Sequence, residues 1–297
     1  MFETYVEKKL APHNEKLIEQ MNGIVLEYQA SGYMLTVRQL YYQLVARDLV
    51  PNNLKSYKRV ASIVNDGRLA GMMDWSAIED RTRTVEMRSR WTSGASIVAA
   101  VADQFHMDMW AGQDHRVYVI VEKEALVGVM QRVCHKYDVP LLAARGYPSV
   151  SIIRDLVLDH LQPAIERGQE PIILHLGDHD PSGIDMTRDL SDRIDLFLRD
   201  ESHAYLLQRI ALSMPQINET KAPPNPAKTT DSRFAQYKKK YGTESWELDA
   251  LEPQYLDELV KLNIERHIDF SLWSEREKEI EAVKVKLNRV VENFESI

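Results

Sequence analysis

The chain has one cysteine in 297 residues, Cys134, so an internal disulfide framework is excluded and a reducing cytoplasm is the expected setting. Cys134 sits in a helical pattern and reads as a packing residue. No apolar run approaches the roughly 18 residues of a membrane span, and the first residues lack the apolar core of a secretion signal. A zinc site is not expected, because His115, His175 and His179 show no metal-ligand spacing with cysteine. Internal repeats and a Walker-type phosphate loop are also missing, which leaves the chain without an ATPase of its own. What is present is the composition of a soluble globular protein, 44% hydrophobic and 28% charged, long enough for one large or two ordinary domains.

An excess of positive charge is lacking too: the formal net charge is −8, which taken alone argues against a nucleic-acid partner. The charge is unevenly spread. Between Thr36 and Trp91, ten Lys and Arg face six Asp and Glu, so this segment is +4 and the remainder −12. A basic module on an acidic body can bind phosphate locally. Residues 1 to about 30 read as a helix, with Leu10, Leu17 and Ile24 on its apolar side. Thr36 is a candidate N-cap for a helix from Val37 to Asp48, and Pro51-Asn52-Asn53 a turn. A second helix follows from Leu54 to Ala70, closed by Gly71, and Met72 to Arg83 reads as a short strand and wing. Helix, turn, basic helix and hairpin outline a winged-helix module, and a further helix over 92–110 completes a first domain of residues 1–110.

From residue 117 strands and helices alternate: Val117–Val121, Glu124–Tyr137, Val139–Ala144, Ser149–Leu161, Ile172–Leu176, Ile184–Leu198 and Arg209–Ser213. Such a series predicts an α/β domain over 115–215, with a mainly parallel sheet covered on both faces. Residues 216–297 form a C-terminal extension that begins as a loop around Ala222-Pro223-Pro224-Asn225-Pro226. It ends in helices with an apolar stripe of Ile280, Val283, Leu287, Val290, Val291, Phe294 and Ile297.

The most informative stretch is Gly177-Asp178-His179-Asp180-Pro181-Ser182-Gly183, directly after the apolar run Ile172–Leu176. Two carboxylates one residue apart at a strand end repel each other unless a cation joins them, and oxygen-only ligands select a hard ion such as Mg²⁺. Glu122 holds the matching position after Val117–Val121, and strand carboxyl ends are where open α/β sheets bind ligands. Other readings compete. The acids fall on EF-hand positions, but a strand precedes them and Asp189 stands where a bidentate Glu belongs. An Asp-rich solvated turn is common. Glu122 and Glu124 also suit the first turn of a helix, Glu124 more so.

The stretch Arg38-Gln39-Leu40-Tyr41-Tyr42 is the second candidate. At 100° per residue Val37, Leu40, Tyr41 and Leu44 share the core face, and Tyr42, about 140° from Val37, is expected to offer its hydroxyl to solvent beside Arg38. A phenol with a pKa near ~10 needs activation to act as a nucleophile, and Tyr42 also suits a surface or phosphate-bonding role. Lys55, Lys58 and Arg59, with Arg68 further along the same helix, are candidates for a DNA-facing surface, against a plain solvated face. Lys238-Lys239-Lys240 reads as an exposed stretch, and the histidines as structural.

Taken together, Val121-Glu122-Lys123, Gly146-Tyr147-Pro148 and Asp178-His179-Asp180-Pro181-Ser182-Gly183 resemble the Toprim domain of the topoisomerase VI-A family, to which the meiotic double-strand-break proteins are similar. Arg38 to Tyr42 looks like the Arg-x-x-Tyr-Tyr motif of the winged-helix domain that precedes Toprim there. The resemblance covers roughly residues 34 to 250, including Pro223-Pro224-Asn225-Pro226 and Ser245-Trp246-Glu247-Leu248. It implies that Glu122, Asp178 and Asp180 hold Mg²⁺, that Tyr42 attacks a phosphate of double-stranded DNA, and that Arg38 stabilises the transition-state charge. It implies a homodimer as well, the tyrosine of one protomer meeting the metal site of the other. Two departures stand out: Ser149 follows Gly-Tyr-Pro where the family often has Asp, and strand passage would need a separate ATPase or other partner protein. Related defence proteins of this architecture are metal-dependent nucleases that use water, so the expected functions are tyrosyl-type DNA cleavage, hydrolytic cleavage, or a non-catalytic DNA-binding role in a larger complex.

Overall fold

A computed structural model describes residues 2–78, 88–201 and 204–294. The helix expected from the first residue begins at Pro12, as α1 (Pro12–Ala30). Proline is well placed in a first helical turn, while the residue before it is kept extended. Leu17, Ile18, Met21, Ile24, Val25 and Tyr28 form its buried side. The Thr36 side chain accepts from Gln39 N and the Gln39 side chain accepts from Thr36 N, a capping box that starts α2 (Val37–Ala46) as the sequence predicts. Asn53 caps α3 (Leu54–Leu69). Gly71 ends that turn at φ +71°, where a Cβ would stand 2.3 Å from the Thr4 hydroxyl and 3.1 Å from its backbone nitrogen. These three helices enclose one core built around Ile18, Met21, Leu40, Leu44, Val60 and Met73. A single 3₁₀ turn, Trp75–Ala77, and a bridge between Leu35 and Ile78 follow. The rest of the expected strand and wing lies outside the described residues.

After α4 (Gly94–Gln104) the chain enters a parallel sheet of β1 (His115–Val121), β2 (Leu141–Ala143), β3 (Glu170–Leu176) and β4 (Leu206–Ala211), ordered β2-β1-β3-β4. All its pairings are parallel, so the chain belongs to the α/β class. Side-chain alternation divides the interior. Val117, Val119 and Val121 of β1, with Ile172, Leu174 and Leu176 of β3, face one core, and Tyr118, Ile120 and Ile173 face the other. The intervening helices are α5 (Val127–Lys136), α6 (Val150–Leu156), α7 (Gln162–Glu166) and α8 (Pro181–Leu198), with a π-helical segment Val157–Leu161 joining α6 to α7. Ser149 is the N-cap of α6, its hydroxyl 3.3 Å from Ile152 N. Cys134 is buried, and desolvation pushes its thiol up to about 12, as a packing residue requires.

Beyond β4 come α9 (Met214–Thr220), a two-residue ladder of β5 (Asn225–Pro226) with β6 (Glu244–Ser245) around α10 (Phe234–Tyr241), and then α11 (Pro253–Glu265) and α12 (Phe270–Glu292). Helix α12 lies along α4, with the Phe294 ring over Gly94, and Ile280 of its stripe packs on the sheet core. Ile297 of that stripe lies outside the described residues. The helix of 92–110 thus pairs with the C-terminal extension as well as following the N-terminal helices. Among the described residues no helix is long and apolar enough to cross a membrane.

The double-sided sheet makes a direct prediction. Leu174, fully buried at the centre of β3, should cost about 2–5 kcal/mol when truncated in Leu174→Ala. A urea denaturation midpoint unchanged from the wild type would contradict this packing.

Candidate active site

Val121 pairs with Leu176, and Glu122 N donates to Leu176 O at 2.9 Å, so Glu122 and Gly177 leave the sheet side by side. The order reverses here, β2 lying on one side of β1 and β3 on the other, the place at which open α/β sheets bind their ligands. Glu122 Oε2 accepts from Asp178 N at 2.9 Å. Asp180 caps α8, its Oδ1 accepting from Gly183 N at 2.6 Å and from the Ser182 hydroxyl at 2.9 Å. Gly183 lets the helix come this close: a Cβ there would stand 2.3 Å from Asp178 O and 3.1 Å from Glu122 Oε2. With α8 starting at Pro181, the acidic loop is too short for an EF-hand, and the burial of Asp178 removes the solvated-turn reading.

The Asp178 carboxylate is fixed from the other side. Its Oδ1 accepts from Leu248 N at 2.8 Å and its Oδ2 pairs with Lys123 Nζ at 3.0 Å. Burial pushes its carboxyl up to about 7, against the pull of Lys123 and with help from Glu122 and Asp249. Burial also holds Glu122 above the usual carboxylate range, and Asp180 adds to the effect. Arg209 of β4, which sequence reasoning misses, laces the loop together. It donates to Gly177 O at 2.8 Å, Asp178 O at 2.7 Å and Gly183 O at 2.8 Å. His175 is buried behind it, bonded to the Thr187 hydroxyl at 2.9 Å, and desolvation lowers it to about 3, so the ring is neutral. His179 is likewise structural: it bonds Tyr237 at 2.8 Å and pairs backbone to backbone with Trp246.

Lys123, Glu247 and Asp249 also escape sequence reasoning as site residues. Lys123 Nζ meets Glu247 Oε2 at 2.8 Å and Asp249 Oδ1 at 2.9 Å in addition to Asp178. Arg38 joins the same two acids, its Nε 2.9 Å from Asp249 Oδ2 and its Nη2 paired with Glu247. The available signal is a pair of acids alternating with apolar residues in Trp246-Glu247-Leu248-Asp249, which is costly to bury without cations.

The structure corrects the expectation for Tyr42. It is as buried as Tyr41, at 4% against 3% exposure, because α2 is covered on its second side by the Leu248–Ala250 turn. The Tyr42 hydroxyl accepts from Asn225 Nδ2 at 3.4 Å and lies in the field of Glu247, Asp249 and Arg38. Burial, then Glu247 and Asp249, push the phenol up to about 12. Lys55, Lys58 and Arg59 lie on α3 away from its buried Val60, Ile63 and Val64, with Arg59 also donating to Asn14 at 3.0 Å. Arg68 differs from them: it donates to Trp75 O at 3.1 Å and to Ile78 O, and its guanidinium stacks on Trp75, so it braces the segment after α3.

The donor set suits a hard divalent cation. Glu122, Asp178 and Asp180 offer only oxygen, and burial raises the carboxyls of Glu122 and Asp178, so a cation would favour their charged forms. Among the described residues no three His, Cys, Asp or Glu side chains already converge as a metal cage. Lys123 draws the Asp178 carboxylate aside and the α8 cap holds Asp180, so coordination requires these two carboxylates to turn towards Glu122. No protein-family model matches the chain, and no curated protein matches it in sequence.

Removing one member of the buried ion network strands its partners. Asp249→Ala, which leaves Lys123 and Arg38 short of a carboxylate, should lower stability by about 3–5 kcal/mol. A change under about 1 kcal/mol in chemical denaturation would show that the network contributes nothing of note.

Proposed function

We propose that this chain is a Mg²⁺-dependent DNA-cleaving enzyme of the topoisomerase VI-A type, its N-terminal helices acting as a winged-helix grip and its parallel-sheet region as a Toprim cleavage domain. The observation that carries this reading is the hydrogen bond that joins Glu122 to the Asp178–Asp180 loop at the ends of two paired strands. Glu122, Asp178 and Asp180 would hold Mg²⁺, which when bound neutralises phosphate charge and polarises the reacting oxygens. Glu122 would also be the group to take up or return a proton at the scissile group. Arg209 keeps the acidic loop in register through its three carbonyl contacts. Lys55, Lys58 and Arg59 supply phosphate contacts on duplex DNA. A homodimer would present two such sites, and an ATP-driven strand passage would need another protein.

One observation favours hydrolysis over a tyrosyl intermediate. A nucleophilic phenol needs a lowered pKa or an adjacent base, with access to the phosphate. Tyr42 is buried, its phenol is pushed up to about 12, and the Glu247 carboxylate whose charge it feels already pairs with two cations.

Supercoiled plasmid incubated with Mg²⁺ separates the readings. We expect nicking that EDTA abolishes, at least a hundredfold loss in Asp178→Ala, and near-normal cutting by Tyr42→Phe with no protein attached to DNA. A covalent protein–DNA adduct lost in Tyr42→Phe would establish the tyrosyl route, and plasmid binding without nicking would reduce the chain to a DNA-binding component. For the grip, Lys55→Glu combined with Lys58→Glu should weaken duplex binding at least tenfold. It should also flatten the log–log salt dependence by about 2, the loss of two phosphate contacts. An unaltered slope would move the DNA surface elsewhere.

A further inference from the structure

Two-metal phosphodiester sites place their cations about 3.5–4 Å apart and bridge them with a shared carboxylate. Asp178 stands between two groups of acids: its backbone nitrogen donates to Glu122, while its carboxylate is held by Leu248 N and by Lys123, which also meets Glu247 and Asp249. The place between Asp178, Glu247 and Asp249, where a second cation would sit, is filled by a side chain of the protein. The Lys123 ammonium has three protons, and three carboxylate oxygens surround it at 3.0, 2.8 and 2.9 Å. Its side chain is 17% exposed and that of Asp249 is fully buried. Leu248 N fixes Asp178 from within the same turn that carries the other two acids.

We propose that Lys123 is the resident second cation of this site, so that each chain takes up a single divalent ion on the Glu122 side. The spacing agrees: oxygens 2.8–3.0 Å from a centre suit an ammonium, whereas Mg²⁺ needs about 2.0–2.1 Å. Glu247 and Asp249 are then positioning residues, holding the ammonium against Asp178 and keeping a second ion out. The inference rests on the reading of Glu122, Asp178 and Asp180 as a metal site.

Counting bound Mn²⁺ on the full chain, by equilibrium dialysis and by the electron paramagnetic resonance of the free ion, tests this without DNA or turnover. We expect one ion per wild-type chain and two per chain of Lys123→Met, which keeps a long apolar stem but vacates the cage. The second ion should be lost again when Asp249→Asn is added. Two ions on the wild type, or one on Lys123→Met with a native circular dichroism spectrum, would overturn the proposal. If Lys123→Met is unfolded without metal, refolding with two Mn²⁺ bound supports it and failure to refold at millimolar Mn²⁺ counts against it. No ion on the wild type would sink the metal site itself, a result distinct from the others.

Discussion

Buried charge is the constraint around which this molecule is arranged. Two strands deliver Glu122 and the Asp178 loop to one place, and the turn after β6 adds Glu247 and Asp249 from the far end of the sequence. Carboxylates held together away from water are costly unless cations and hydrogen bonds offset them. Lys123, Arg38 and Arg209 supply part of that compensation, each with several acceptors. Because these cations come from α2, the β1 end and β4, neutralising the site also joins the helical N-terminal core to the sheet.

The segment from Ala222 to Leu251 acts as a strap over this junction. Asn225 reaches Tyr42, the Pro224 carbonyl accepts from Asn52, Trp246 pairs with His179, and Leu248 N holds Asp178. Tyr42 lies in the field of Glu247, which in turn meets Lys123 and through it Asp178 within one molecule. The tyrosine is therefore packed beside the acidic residues of its own chain.

Much of this is legible in the residues. Alternating strand and helix runs indicate the α/β class, and the capping pattern at Thr36 locates the start of α2. The acids after two apolar strands announce their own neighbourhood, since residues following paired parallel strands must emerge together. Tyr42 departs from expectation because helical periodicity identifies only the face turned to the nearest core, and here a distant turn covers the opposite face. Arg209, Glu247 and Asp249 are invisible for a related reason. Their partners lie 22 to 211 positions away, and no local spacing encodes such pairings. Arg68 has the look of a phosphate ligand in the sequence, but two nearby carbonyls claim its guanidinium.

The most direct test is to locate the ion. Crystals grown with Mn²⁺ and measured near its absorption edge should show one anomalous peak per chain, within coordination distance of Glu122, Asp178 and Asp180, with Lys123 Nζ still seated between Glu247 and Asp249. A peak elsewhere in the molecule, or none at a concentration that supports plasmid nicking, would contradict the account.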